Sequence, residues 1–87
     1  MEKLTPGSKC IVYSMSSNEM VVKTSGIFRG FVPLGEDTSI CIELDESHGE
    51  MKGKLRLIPL GAISSIDIIE LVEDEEEESE EEKIYYS

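Results

Sequence analysis

Residues 20–32, MVVKTSGIFRGFV, decide the fold that the sequence predicts. The stretch is rich in residues that favour β-strands, and it carries two glycines, Gly26 and Gly30. A glycine inside a strand pattern indicates a bulge, a sharp bend or the close approach of another backbone. The pair therefore predicts one long, strongly curved strand, and such curvature allows a small sheet to bend into a barrel.

Shorter strands are predicted on both sides of this bent strand. Residues 39–45, SICIELD, alternate apolar and polar side chains and predict a half-buried strand. The other strands are predicted at 9–15, 54–58 and 63–71, with a polar connection at 46–53 and a brief break, or one tight helical turn, at 59–61. We predict an all-β fold: a five-stranded, strongly bent antiparallel sheet that forms a small SH3-like open barrel.

The predicted core is thin for a lone domain. It contains the aliphatic side chains of the strands and both phenylalanines, Phe28 and Phe31. Small cores of this kind often need oligomerisation or another source of stability. Residues 57–58 and 66–69 expose few charges, so the edges of the sheet are poorly protected against pairing with another chain. The sequence therefore favours self-association.

Charge divides the chain into an N-terminal arm (1–8), a body (9–71) and a tail (72–87). The net charge is −11, and residues 73–83 hold nine acids and one base, whereas residues 1–72 hold ten acids and seven bases. The body thus lacks the general positive charge that drives non-specific binding to nucleic acid or to anionic membranes. The tail predicts disorder, because dense like charges repel and cannot bury apolar surface.

The tail has two alternative roles at this stage. It either maintains solubility or competes, as a mimic of nucleic acid, for the basic side chains of the body. Residues 84–86, IYY, end the acidic run with an apolar tip. They either dock on an exposed sheet edge as an extra strand or remain free.

Several classes of function have no support in the sequence. No catalytic motif or paired-carboxylate spacing occurs, so we expect no enzyme, no catalytic residues and no small-molecule substrate. Cys10, Cys41 and His48 are too few and too far apart for a zinc site, and no cofactor is expected. We expect both cysteines to be small strand residues and His48 to be solvated. With no signal core and no apolar run of roughly 20 residues, a cytoplasmic protein that does not span a membrane is expected.

Two motifs resemble those of the Sm-like (LSm) family, in a divergent form of archaeal or prokaryotic type. Residues 26–32, GIFRGFV, and 37–44, DTSICIEL, resemble the two parts of the first motif, with one extra residue between Gly30 and Asp37. Residues 58–66, IPLGAISSI, keep the apolar spacing of the second motif and lack its Arg-Gly pair. The resemblance covers residues 8–70.

The resemblance implies the Sm fold, a homo-oligomeric ring of six or seven copies (a hexamer or a heptamer), and single-stranded, uridine-rich RNA bound inside it. The RNA-binding positions of the family fall on Asp37, Ser39, Cys41 and Pro59. Cys41 replaces the usual base-specific Asn, Ser39 the usual stacking residue, and Pro59 the usual Arg. Proline has no donor, cysteine is a weak one and serine offers no ring, so the implied uridine pocket is degenerate.

The candidate residues also have structural explanations. Asp37 either orients a binding loop or caps a turn, and Cys41 either contacts a ligand or fills a strand face. Arg29, Lys52, Lys54 and Arg56 form a possible basic stripe, which is either an RNA surface or a set of solvated charges and salt bridges to Glu43 and Asp45. The leading hypothesis is a non-catalytic, ring-forming Sm-like protein of RNA metabolism. The alternative is a structural or protein-interaction module of the same fold that does not bind RNA.

Overall fold

A computed structural model describes residues 4–73 of the protein. They form one antiparallel sheet of five strands: β1 (Lys9–Met15), β2 (Val21–Leu34), β3 (Asp37–Leu44), β4 (Leu55–Pro59) and β5 (Ile63–Glu70). The strands lie in the order β4-β3-β2-β1-β5. The predicted all-β fold is confirmed. The acidic tail from residue 74, including residues 84–86, lies outside the described residues, so the expectations for it stay predictions.

The two glycines of β2 lie at a bulge and at a close approach of another backbone, as the sequence predicts. Residues 21–27 pair with β1, and residues 26–34 pair with β3, with a register shift between Phe28 and Gly30. Gly30 has a φ of +118°, a conformation that other residues rarely adopt. Gly26 lies so close to β3 that a Cβ atom there would be 2.0 Å from the carbonyl oxygen of Glu43. One glycine thus permits the bulge and the other permits close strand packing.

The core is one cluster of apolar side chains from four strands of the sheet, β1 to β4. It consists of seven buried side chains, against which Leu4, Ile63 and Ile66 pack: Cys10, Val12, Phe28, Ile40, Ile42, Leu44 and Ile58. The prediction that Phe31 belongs to the core is wrong, because its side chain is 61% exposed. Its ring meets the Phe28 ring edge-on with centroids 5.4 Å apart, so it contacts the core only at the margin.

The polar connection between β3 and β4 contains a short helix that the sequence pattern does not indicate. A 3-10 helical segment spans Glu46–Met51 and is broken at Gly49, whose φ of +63° is not helical. It has no buried residue, so the sequence shows no apolar periodicity there. The Asp45 side chain caps its N-terminus by accepting a hydrogen bond from the Ser47 N–H. Of the two alternatives for residues 59–61, a brief break or one helical turn, the structure has the turn, at Leu60–Ala62.

The N-terminal arm closes one end of the sheet. The Gly7 N–H donates to the Phe28 carbonyl, and the Phe28 N–H donates to the Ser8 carbonyl, at 2.8 Å each. The Ser8 and Thr5 side chains in turn bond the backbone N–H and carbonyl of Val72. Residues 4–8 therefore hold the chain where it leaves β5, so the folded body reaches to about Val72.

Candidate functional site: the sheet edges and the β3–β4 surface

The first candidate site is the pair of outer strands, β4 and β5. Within the described residues, β4 pairs only with β3 and β5 only with β1, so each strand has one free edge. Both strands expose large apolar side chains: Leu55, Leu57, Ile68 and Ile69. A free edge with apolar side chains and few charges is a template for pairing with another strand. The strand order, with β4 and β5 outermost, therefore agrees with the prediction from the sequence that these edges are poorly protected.

The four RNA-binding positions implied by the resemblance divide into two exposed and two covered residues. Asp37 is exposed at the first position of β3, and Pro59 is exposed at the last position of β4. Ser39 lies directly opposite Pro59 in the β3–β4 ladder, and Cys41 lies opposite Leu57. The structure thus brings the four positions onto two adjacent strands.

Ser39 and Cys41 are enclosed within the subunit. The side chain of Ser39 is fully buried, and Cys41 is 5% exposed. The Ser39 hydroxyl has no hydrogen-bond partner among the described residues, although burying an unpaired hydroxyl is unfavourable. These positions act as small residues that let β3 pack tightly, which corresponds to the strand-face interpretation of Cys41. Both cysteines are free and buried, and burial raises the pKa of the Cys10 thiol.

The basic stripe is not a continuous row on one strand. Lys52 follows the Glu46–Met51 helix and Lys54 immediately precedes β4, so only Arg56 lies within that strand. The basic residues at 52, 54 and 56 alternate in the sequence, but they do not share one strand, because the glycine turn at residue 53, with a φ of +84°, interrupts the extended backbone.

Both arginines of the stripe have a partner on a neighbouring strand, one at the surface and one half-buried. Arg29 forms an ion pair with Glu43 at 2.8 Å, one of the two partners expected for the stripe. Arg56 donates from Nη1 to the buried Thr24 hydroxyl at 2.8 Å. Arg56 is half-buried, and its guanidinium is less available to a phosphate because a protein acceptor holds it, whereas Arg29 is exposed together with Lys52 and Lys54.

A polar cluster that sequence reasoning missed joins β2 to the connecting helix. The Ser25 hydroxyl donates to Asp45 Oδ2 at 2.6 Å, and the Ser25 N–H donates to His48 Nε2 at 2.9 Å. The expectation of a solvated His48 is wrong, because its ring is half-buried and accepts this bond. The Ser25 hydroxyl faces the carboxylate rather than the ring, so the three residues brace the helix and do not form a nucleophile–base pair.

Hydrogen bonds hold the pKa of Asp45 well below its ordinary value. The bond from the Ser25 hydroxyl is the main cause, followed by the bond from the Ser47 hydroxyl, and together they lower the pKa from 3.8 to about 2. A carboxyl with a lowered folded-state pKa stabilises the fold above its unfolded pKa, and this stabilisation disappears as the pH falls through the folded value.

We expect Asp45→Ala to lower the free energy of unfolding by about 1–2 kcal/mol at pH 6, because it removes a helix cap and a charged acceptor. The difference in the free energy of unfolding between the variant and the unmodified protein becomes smaller as the pH falls from about 4 toward 2, because the Asp45 carboxyl of the unmodified protein is then protonated as well. Urea unfolding followed by circular dichroism at several pH values measures this. Glu50→Ala, an exposed site on the same helix, is the control and shows little change.

A cleft of about 240 Å³ lies beside this cluster, between the start of β1 and the turn before β4. Its charged side chains are of both signs: Lys9, Lys52, Glu43, Asp45 and Glu46. Ligand pockets are commonly about 300 Å³ or larger, so the volume of this cleft does not indicate a small-molecule site. Among residues 4–73, no three His, Cys, Asp or Glu side chains lie close enough together to hold a metal ion.

Neither short helix among the described residues has the length and apolar character needed to cross a membrane. No protein-family model, curated protein or solved structure matches the chain significantly.

Proposed function

We propose that this chain is a non-catalytic, Sm-like subunit that assembles with copies of itself into a closed ring of six or seven through β4 and β5, and that the ring acts as a protein-interaction scaffold. The supporting observation is the strand order, which leaves one free apolar edge at each end of the sheet. Two different edges on one subunit favour head-to-tail association, and head-to-tail association closes into a ring when the rotation permits.

The interaction role is favoured over RNA binding by the state of the implied base-binding positions. Ser39 and Cys41 are covered, and Arg29 and Arg56 are bound to acceptors within the body. The body also carries more acids than bases. Single-stranded RNA bound at Asp37, Ser39, Cys41 and Pro59 is the function that the family resemblance implies, and it is the competing outcome of the experiment below.

Light scattering on the full chain, combined with oligo-uridine binding across a salt series, tests the proposal. We expect a mass of six or seven times the 9.7 kDa of one chain, together with no detectable oligo-uridine binding at low salt. A chain without residues 74–87 is measured in parallel, so that a competing acidic tail cannot conceal RNA binding. Salt-dependent binding by either form would favour the RNA role, and a strict 9.7 kDa species would exclude the ring.

A further inference from the structure

The free edge of β4 carries positive charge next to its apolar side chains. Residues 52–59, KGKLRLIP, contain three bases and no acid. Lys52 and Lys54 are exposed, and neither forms an ion pair within residues 4–73. Leu55 and Leu57 are also exposed, and because they are two positions apart on a strand, their side chains point to the same side of the sheet. This edge therefore suits an extended segment that combines acidic with apolar side chains.

The acidic tail contains a stretch of complementary composition in the matching order. Residues 80–86, EEEKIYY, place three glutamates before a lysine and three residues that favour β-strands. In residues 52–59 the two lysines likewise come before the two leucines. A segment that runs in the same direction as β4 therefore brings the glutamates to the lysines and residues 84–86 to the leucines. The opposite direction would carry the glutamates past Pro59, where residues 59–66 hold no charge.

The chain leaves the body close to the start of β4. Glu70 lies opposite Lys9 at the end of β5, and Lys9 lines the same cleft of about 240 Å³ as Lys52. Val72 is fixed beside the N-terminal arm by two hydrogen bonds. When extended, residues 73–82 span about 33–36 Å. Since β4 is only about 17 Å long at the rise of a strand, the tail has the length to follow β4 of its own subunit.

The other free edge suits the tail less well because it has the same sign of charge. β5 contains two acids, Asp67 and Glu70, and no base. Residues 73–82 hold nine acids, so β5 repels the segment that would have to lie next to it. Of the two free edges in the described part of the chain, the charge pattern thus favours β4.

We propose that residues 80–86 add to the free edge of β4 as a sixth, parallel strand. The glutamates pair with the two exposed lysines, and residues 84–86 cover the two leucines. In this mode of recognition, main-chain hydrogen bonds to an unpaired edge supply affinity, and side chains set specificity. Docking needs only the body and the tail of one chain. Its consequence rests on the proposed ring: a docked tail occupies the edge to which β5 of the next subunit would bind, so it limits assembly.

Backbone amide exchange, followed by NMR on the full chain carrying Ile69→Lys, tests the docking. Ile69 is exposed on β5, and the added charge protects that edge from pairing, so β4 stays free of a neighbouring subunit. We expect the amides of residues 55–58 that do not bond β3 to exchange about tenfold more slowly than in the same variant without residues 74–87. Lys54→Glu abolishes this protection, because it places a carboxylate beside the glutamates.

Lys23→Glu is the matched control, since Lys23 is an exposed base on β2 and the substitution changes the net charge by the same amount. It keeps the protection of residues 55–58. Equal exchange rates with and without the tail would overturn the docking. Equal losses of protection in Lys23→Glu and Lys54→Glu would do the same, because a general effect of charge would then explain the result.

The effect on assembly is measured separately, in the chain that keeps Ile69. Removing residues 83–87 is expected to move the transition to the ring mass, read by light scattering, to about tenfold lower protein concentration. Slower exchange at β4 in a chain that stays at 9.7 kDa would support the docking and contradict the ring. A ring whose concentration dependence is the same with and without these residues would overturn the limit on assembly.

Discussion

Gly26→Ala is expected to lower the free energy of unfolding by about 3 kcal/mol, because the new methyl group has no space. Its Cβ would lie 2.0 Å from the Glu43 carbonyl oxygen and 2.9 Å from Ile42 Cγ2. The nearest of these atoms belongs to the backbone of β3, so the clash can be relieved only by moving two paired strands apart. A domain of this size has a total stability of about 5–15 kcal/mol, so this is a large fraction of it.

Gly61→Ala is the matched control for this experiment. A Cβ atom at residue 61 meets no heavy atom within 4 Å, and the backbone there has no positive φ. We expect its stability to change by less than about 0.5 kcal/mol. Urea unfolding of the two variants, followed by circular dichroism, makes the comparison. Equal stabilities for Gly26→Ala and Gly61→Ala would show that β2 and β3 are not packed as closely as described.

The double variant Leu55→Lys with Leu57→Lys is expected to reduce the assembly to a folded monomer of 9.7 kDa. Both leucines are exposed on β4, so the change leaves the core of the subunit unaltered. Charged side chains protect natural edge strands from pairing, and burying two unpaired ammonium groups in an interface costs several kcal/mol. Light scattering reports the mass, and circular dichroism reports whether the fold persists.

Met20→Lys with Val21→Lys provides the control for charge. These residues are as exposed as the two leucines and lie at the β1–β2 hairpin, away from the outer edges of β4 and β5. The two double variants alter net charge equally, so a general electrostatic effect would act on both. We expect the hairpin variant to keep the mass of the unmodified protein. Dissociation of both variants, or of neither, would argue against an interface at β4.

The sequence predicts the sheet well because strand signals are local. The bounds of β1 agree with the prediction, and Gly26 and Gly30 indicate the bend before any contact is known. The low charge at residues 57–58 and 66–69 also predicts that the edges of the sheet are poorly protected. These features depend on composition and spacing within a few residues, which a single sequence contains.

The features that the sequence does not predict depend on contacts between distant segments. His48 accepts a hydrogen bond from Ser25, which lies 23 residues away in the chain. The residues next to His48 in the sequence are polar, and they favour a prediction of solvent exposure because they give no sign of this contact. Phe31 is apolar and lies on a strand, yet it is exposed, since the pairing of β1 with β2 ends at Ile27 and leaves that side of β2 without a strand beside Phe31 in the described residues. Ser39 is buried although it is polar, because β2 and β4 flank it on both sides.

Contact between β4 of one subunit and β5 of the next is the central claim, and an isotope-filtered NOE measurement tests it most directly. Perdeuterated chains with labelled leucine methyls are mixed, by unfolding and refolding, with perdeuterated chains that carry labelled isoleucine methyls. We expect intermolecular cross peaks joining Leu55 and Leu57 to Ile68 or Ile69. A sample without any leucine–isoleucine cross peak between chains would contradict the account.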